Sequence, residues 1–337
     1  MSVSVLDVSL TAGAESRDAA APLAFLYEHP QWFSPIFAEL DRRGTAYARI
    51  HAPEHFYAAG EAVPAFRVLF NRMSPSADRR QHGSAIFHTL AWLGQLELQG
   101  IRVLNGTEAF RYEVSKAMQL SLFSSLGLSY PKSRVIHDPR HAVVAAEGLR
   151  YPVVVKPNVG GSGAGIVRFN SPAELQASID AGTLQLGFDH IGLVQEFVPA
   201  RGEHITRVET LAGKYLYAIN VHLTGETFDL CPADICQTAR GESLANACVI
   251  EGAKAGLKVE GFTPPAGVID AVERIVRAAR IDVGGIENVI DDRDGQIYYY
   301  DVNALSNFVA DAPRVVGFNP FATLADFLEA EVAHAQK

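Results

Sequence analysis

Residues 151–166 read Tyr-Pro-Val-Val-Val-Lys-Pro-Asn-Val-Gly-Gly-Ser-Gly-Ala-Gly-Ile, a run that few backbone arrangements accommodate. The β-branched stretch at Val153, Val154 and Val155 favours a short strand, and the glycines that follow cannot extend it as regular structure. Gly160, Gly161, Gly163 and Gly165 allow φ > 0 and close approach of the backbone, so that successive N–H groups can converge on an anion. Lys156, at the strand's end, delivers a positive charge to the same place, and the combination reads as a polyphosphate grip. Other phosphate motifs fail on spacing: no Lys follows the run as a P-loop requires, and no G-x-G-x-x-G register fits 160–166. A hairpin beside a surface lysine is the competing reading.

A second cluster lies in two apolar runs, Ile286-Glu-Asn-Val-Ile290 and Tyr298-Tyr-Tyr-Asp-Val-Asn303, joined by Asp291-Asp-Arg-Asp-Gly-Gln296. The Asp294-Gly295 pair favours a turn with φ > 0, and the resulting antiparallel hairpin sets Glu287 near Asp301 and Asn303. Asp301 and Asn303, two apart, share a strand face. Three oxygen-bearing side chains there suit a hard cation such as magnesium carried in with nucleotide phosphates. A solvated polar strand face is the alternative.

Together these motifs resemble the ATP-grasp family, in the branch of carboxylate–amine ligases that includes glutathione synthetase, D-alanine:D-alanine ligase and the ribosomal-protein glutamate ligases. The resemblance covers roughly residues 105–310. It implies that Lys116, in Arg111-Tyr-Glu-Val-Ser-Lys, and Lys156 bind nucleotide phosphates together with Gly161, Ser162 and Gly163. Gln195, Glu196, Phe197 and Val198, in Leu193-Val-Gln-Glu-Phe-Val, are similar to the hinge between two grasping subdomains, where backbone groups of Glu196 and Val198 read the adenine and Phe197 lines its pocket. Glu203 sits where the family binds ribose. The metal positions map onto Glu287, Asp301 and Asn303, with the family's usual Asp and Glu exchanged at the first two. The implied cofactors are ATP and Mg2+, with Mn2+ as the alternative ion.

The implied fold class is α/β: an N-terminal α/β pre-grasp domain at 1–104, a small ATP-grasp subdomain at 105–200 and a C-terminal subdomain carrying the metal site at 201–337. The residues themselves support a βαβ start. Pro22–Tyr27 reads as a strand, Pro35–Gly44 as a helix ended by glycine, and 46–50, 66–70 and 101–104 as further strands, with Ile86, Leu90 and Leu93 on one helix face. Thr107 is the expected N-cap of a helix that turns Phe110, Val114, Ala117 and Met118 inward and leaves Lys116 off the buried stripe. Strands follow near 133–136, 152–157, 192–197, 205–211 and 215–222, with helices near 172–180 and after Thr263-Pro-Pro, the second with Val268, Val272, Ile275, Val276 and Ala279 at helical spacing. Residues 1–20 show no matching pattern and are read as either a partly ordered arm or, if Val3–Val8 pairs, an edge strand.

With 337 residues and 48% hydrophobic content the chain can bury several cores. Its 29 basic and 38 acidic residues give a net charge of −9, which disfavours nucleic acid or anionic membrane as a partner. No run of about 18 apolar residues and no basic leader is visible, so a cytoplasmic chain is expected. Cys231, Cys236 and Cys248 are odd in number and close in sequence, which fits free thiols better than a disulfide framework or, with His222, a metal site. Asp234 between the first two is either a turn residue after Pro232 or a carboxylate aimed at a substrate amine.

The chemistry the resemblance implies is attack of a substrate carboxylate on the γ-phosphorus to give an acyl phosphate, then displacement of phosphate by an amine. The products are ADP, phosphate and an amide. Arg207, in Glu203-His-Ile-Thr-Arg-Val, resembles the arginine that follows the hinge in glutamate ligases and is the first candidate, with Lys156, for a catalytic role; an ordinary strand arginine is its alternative. Arg72, at the end of a first-domain strand, is a second candidate for gripping the acceptor carboxylate, and His204 and His222 are candidate bases. Small carboxylate and amine substrates, amino acids or peptides, are the expected partners, in a chain that can form a homodimer. A small-molecule kinase on the same fold and a nucleotide-binding regulator without ligase chemistry are the competing functions.

Overall fold

The apolar run Leu23–Tyr27 forms β1, buried along its whole length. It pairs in parallel with β2 (Ala48–His51) and β3 (Val68–Arg72), and β3 pairs in parallel with β4 (Arg102–Leu104), in the order β2-β1-β3-β4. Helix α1 (Ser34–Arg43) connects β1 to β2 and is closed by Gly44 in the left-handed region at φ +72°. Phe25 packs edge-on against Phe37 and Tyr47 at centroid distances of 5.1 and 5.7 Å. Helix α2 (Gly83–Leu98) covers the other face with Ile86, Trp92, Leu93 and Leu96. In this computed structural model residues 21–29, 31–161, 163–223 and 258–335 are described. The expectations for residues 1–20, Ser162, Asp234 and the three cysteines therefore lie outside the described residues.

The helix expected from Thr107 is two helices, α3 (Thr107–Glu113) and α4 (Lys116–Ser125). The N-cap of α3 is Gly106 rather than Thr107, and Ser115 caps α4 by accepting the Met118 N–H. The sequence pattern across the junction is apolar at helical spacing, but the Ser115 hydroxyl supplies a stronger local alternative than continued helix. Two expectations fall with it. Met118 is 37% exposed, and Lys116 is not a solvent-facing residue, its side chain being only 14% exposed.

The next sheet is antiparallel, ordered β5-β8-β6-β7, from β5 (Ser133–Ile136), β6 (Val153–Pro157), β7 (Val167–Phe169) and β8 (Gly192–Glu196). Helices α5 (Ala142–Ala146) and α6 (Pro172–Asp180) supply Ala142, Ala145 and Leu175 to its core. The third sheet, also antiparallel, is ordered β11-β10-β9-β12-β13, from β9 (His204–Leu211), β10 (Lys214–His222), β11 (Val259–Phe262), β12 (Val283–Ile290) and β13 (Ile297–Asn303). Val208, Ala218, Ile286 and Val302 on one face pack against Val268, Val272, Ile275 and Val276 of α7 (Ala266–Ala278). On the other face Ile205, Ile219 and Val221 join Leu23, Phe25 and Tyr27 in one continuous core. Helices α8 (Ala312–Val316) and α9 (Pro320–Ala335) follow, and Leu324 and Leu328 enter that core. Among the described residues no helix is long and apolar enough to cross a membrane.

Asn105, buried and at φ +50°, fastens the first sheet to the third. Its Oδ1 accepts the N–H groups of Asp282 and Val283 at 2.8 and 3.1 Å, and its Nδ2 donates to the carbonyls of Val283 and Ala304 at 2.7 and 2.5 Å. Asn105→Ala removes four hydrogen bonds to backbone groups, of which the Ala304 carbonyl keeps a second donor in Arg72, and places an alanine in the left-handed region, so a loss of about 2–4 kcal/mol is expected. The midpoint of urea unfolding checks it.

Candidate active site

The turn between β12 and β13 is built as its residues dictate. Gly295 has φ +75° and donates its N–H to the Asp291 carbonyl at 2.8 Å. The register then places Glu287 directly opposite Asp301, and Gly285 opposite Asn303. Between the Glu287–Asp301 and Asn288–Tyr299 pairs the register shifts by one, which makes Tyr300 an extra residue on β13. Because paired residues share a face, Glu287, Asp301 and Asn303 stand together on the side of the sheet opposite α7. Arg207 on β9 is opposite Glu287 and joins that face.

Two lysines meet these acids from different elements. The Lys116 Nζ lies 2.5 Å from Asp301 Oδ1. Burial would lower its pKa, but the Asp301 charge outweighs this and raises it. Lys156, on β6 and 5% exposed, has no such direct partner, and its pKa is pulled down to about 7 by burial first and then by the Lys116 ammonium, with Asp301 and Glu287 opposing. The lysines are brought together by Asn158, two residues beyond Lys156. Its backbone carbonyl accepts the Lys116 N–H at 3.1 Å, and its Oδ1 accepts from Ala117 N and Ser115 Oγ at 2.9 and 3.1 Å. The glycine loop beyond it has Gly163 and Gly165 at φ +77° and +73°, and a side chain at Gly161 would first meet Ser76 and Pro75 of the first sheet's loops.

Arg207 is held on three sides: Nε donates to Glu209 Oε1 at 2.6 Å, Nη1 to Glu287 Oε1 at 3.1 Å, and Nη2 to Ser306 Oγ at 3.1 Å. Burial is outweighed by these acids and its pKa is raised. A Cβ on Gly285 would stand 2.9 Å from Glu209 Oε2 and 3.1 Å from Arg207 Nε, so glycine is what leaves room for the pair. Glu287 in turn is pushed up by burial, opposed by Arg207 and aided by Asp301.

Arg72 ends β3, the strand-end position expected of it, but its side chain is committed to the protein. It is 4% exposed and donates to the carbonyls of Ala304 and Ser306 and to Asn307 Oδ1, with its guanidinium 4.9 and 4.8 Å from the Phe33 and Phe70 rings. It braces the segment after β13, and at 4% exposure, against 23% for the Arg207 side chain, it is the less accessible of the two arginines to a substrate carboxylate. His204 and His222 pair across β9 and β10 at a ring distance of 5.6 Å, and His222 Nε2 meets Glu260 Oε1 at 3.0 Å; no contact brings either to the lysine and carboxylate group.

At the hinge, Gln195 and Glu196 are buried, with side chains turned to Ser133 Oγ at 2.7 Å and the Arg150 N–H at 3.0 Å, and the N–H groups of Glu196 and Phe197 donate to the Lys132 and Pro152 carbonyls at 2.9 and 3.0 Å. The Phe197 ring lies 4.6 Å from the Arg168 guanidinium, and Val198 packs on the main core. Glu203 is exposed at φ +53°, and its carbonyl accepts the Leu223 N–H.

Glu113 went unnoticed in the sequence. Its buried Oε2 accepts the N–H groups of Ala304 and Leu305, and burial first, then Asp301, pushes its pKa up to about 7. No spacing rule marks a single Glu at the end of a seven-residue helix. Glu209 was legible, since alternation on β9 puts it on the face of Arg207.

No protein-family profile matches the sequence. The D-alanine–D-alanine ligase of Geobacter sulfurreducens is 31% identical over 137 residues, 40% of this chain and 42% of that one. Among solved structures, the ATP-grasp ligase PsnB complexed with a minimal precursor superposes with a TM-score of 0.64 at 17% identity, covering 92% of this chain and 99% of that one. The RimK domain ATP-grasp protein of Sphaerobacter thermophilus gives a TM-score of 0.62 at 18% identity, covering 91% and 99%. This chain has the ATP-grasp fold. The chain spans about half the length of the curated relatives it matches, 42% and 59% for the first two.

For the cation that accompanies nucleotide in the ATP-grasp fold, the donor set fits: two carboxylates and an amide, all oxygen donors on one face. The buried Asn303 Nδ2 has no hydrogen-bond partner among the described residues, and a phosphate oxygen would satisfy it. No three His, Cys, Asp or Glu side chains converge among the described residues, so the amide is needed to complete the set.

The depressed Lys156 gives a pH signature. Below about pH 7 its amine is charged in the free protein, and above it is neutral. Phosphate oxygens favour the ammonium and raise the pKa, so nucleotide binding at pH 8 should take up as much as about one proton, and affinity should fall as pH rises above 7. Calorimetry at pH 8 in buffers of different ionisation heat measures the uptake, which should vanish in Lys156→Met.

Proposed function

We propose that the chain is an ATP-dependent carboxylate–amine ligase that joins an amino acid or small peptide to an amine through an acyl phosphate, releasing ADP and phosphate. The observation that carries this reading is the facing of Lys116 and Lys156 toward Asp301 and Glu287, beside a glycine loop and the unpartnered Asn303 amide. Such a set binds a polyphosphate and offsets charge as the γ-phosphoryl group moves. The fold neighbour PsnB was solved with a minimal precursor, Mg and ADP, and separately with a precursor peptide and AMPPNP, which supports peptide among the substrate classes and magnesium as the ion. Manganese, also an oxygen-seeking ion, fits the same donors.

In this reading Lys116, Lys156, Gly161, Ser162 and Gly163 hold the phosphates, backbone of Glu196 and Val198 beside Gln195 and Phe197 takes the adenine, and Glu203 takes the ribose. Glu287, Asp301 and Asn303 hold magnesium, which neutralises phosphate charge when bound. Arg207 uses three of its five N–H donors on Glu209, Glu287 and Ser306. The remaining ones are available to the acyl phosphate and to the oxyanion formed on amine attack. No side-chain nucleophile is required, because positioning and electrostatics carry the rate. The reading suits a cytoplasmic enzyme, where ATP and magnesium are at hand.

The test is phosphate release from magnesium ATP against amino acids and dipeptides, singly and in pairs, with mass analysis of the products. Release that needs two substrates and gives a product lighter than their sum by one water is expected. Release with one substrate and a stable phosphorylated product would instead identify a kinase. Asp301→Ala should lower turnover by about 100-fold or more, since it removes a metal donor and the Lys116 partner together.

A further inference from the structure

β13 ends its sheet, so its outer edge has no strand to pair with. Side chains from the α3–α4 corner take that strand's place. Gln119 Nε2 donates to the Val302 carbonyl at 2.9 Å, and its Oε1 accepts the Val302 N–H at 3.1 Å. Glu113 Oε2 accepts the next free donors, the N–H groups of Ala304 and Leu305. The same corner sends Lys116 to Asp301. From Asp301 to Leu305, the stretch containing both candidate ligands on β13 is thus read by three side chains within seven residues of sequence.

Glu113 is the costly member. It is 5% exposed, and among the described residues no cation lies within ion-pair distance of it. Lys116 and Arg72 act on it only at longer range, and a buried carboxylate so weakly compensated is unfavourable unless its hydrogen bonds are needed. What those bonds do is fix the chain where it leaves Asn303: Ala304 is the next residue, and its carbonyl is held from the other side by Asn105. The peptide unit after Asn303 is anchored through the Ala304 N–H, and the next unit through both the Ala304 carbonyl and the Leu305 N–H, so the chain leaves Asn303 in one direction and restrains its side chain relative to Asp301.

We propose that Glu113 is a positioning residue for the cation site, holding Asn303 in register with Asp301 and Glu287 through the Ala304 and Leu305 amides without touching nucleotide or metal. This rests on the ligase reading of the site. Reach and hydrogen-bond acceptance, not charge, are what the role requires. Both bonds fall on one oxygen, so a glutamine amide oxygen can replace it, whereas aspartate keeps the charge but withdraws the oxygen by one methylene.

The experiment is calorimetric titration of ADP into the full chain, for wild type, Glu113→Gln, Glu113→Asp and Glu113→Ala, in EDTA and across a magnesium series. The expected result is a magnesium midpoint raised about tenfold or more in the Asp and Ala variants, ADP affinity in EDTA within about twofold of wild type, and Gln within about threefold of wild type throughout. If Ala fails to fold, the Gln and Asp pair still decides. The proposal is overturned by an unchanged midpoint in Asp, by Gln shifting as far as Asp, or by equal loss of ADP affinity with and without metal. A wild type that binds ADP with no dependence on magnesium overturns the ligase reading as well, whereas a magnesium-dependent wild type with unresponsive variants overturns the positioning role alone.

Discussion

The contact on which the rest of the site depends is the 2.5 Å approach of Lys116 Nζ to Asp301 Oδ1. It joins a helix start to an edge strand, and neither partner is in place without other buried polar groups. Lys116 is there because Ser115 and Asn158 break one helix into two and aim the second at β6. Asp301 is there because a bulge at Tyr300 brings it opposite Glu287. Removing one partner of such a pair leaves a buried charge uncompensated, which costs more than the pair itself contributes. The local breaks in regular structure are therefore conditions of the site rather than defects around it.

The charges are nearly balanced before any nucleotide arrives. Lys116 faces Asp301, Arg207 faces Glu209 and Glu287, and Lys156, the cation left over, has its pKa drawn down to about 7. In the proposed function a polyphosphate with its cation would bring its own near-balance, the cation to Asp301 and Glu287 and the phosphates to the lysines. Exchange of partners then replaces net desolvation of charge, which is how a buried site can admit so charged a ligand.

How far the sequence reveals this depends on the range of the forces involved. The strands with β-branched runs, the hairpin closed by Asp294-Gly295 and the helix with Val268, Val272, Ile275 and Val276 are local patterns, and each forms as read. The residues singled out at the site on chemical grounds, Lys156, Glu287, Asp301 and Asn303, lie on strands of two sheets that face one another electrostatically. What could not be read is whatever depends on a partner distant in sequence. Arg72 has the look of a ligand-binding arginine at a strand end and becomes a brace because residues 304–307 lie 232 or more positions away and fold over it. Thr107 looks like a cap, but Gly106 occupies that place and Thr107 N instead meets Glu97 Oε1 at 2.7 Å. Helical spacing across Val114 and Ser115 misled because a side-chain cap competes locally with the helix that spacing implies.

The first sheet explains why the proposed cation site needs so much of the chain. The segment after Asn303 is held by Asn105 and Arg72 from that sheet, by Glu113 from α3 and, at Ser306, by Arg207 and Glu209 from β9. Each of these comes from a different element, and a carboxylate–amide set spread over two strands keeps its geometry only if the exit of the second strand is fixed. The lengths of the two carboxylates fit the same logic. The longer Glu287 spans to Arg207 on the inner strand, while the shorter Asp301 on the edge strand leaves space for the Lys116 ammonium approaching from α4. Interchanging the two would push a carboxylate into the lysine and draw the other away from the arginine, so the two acids and their two cationic partners form one unit.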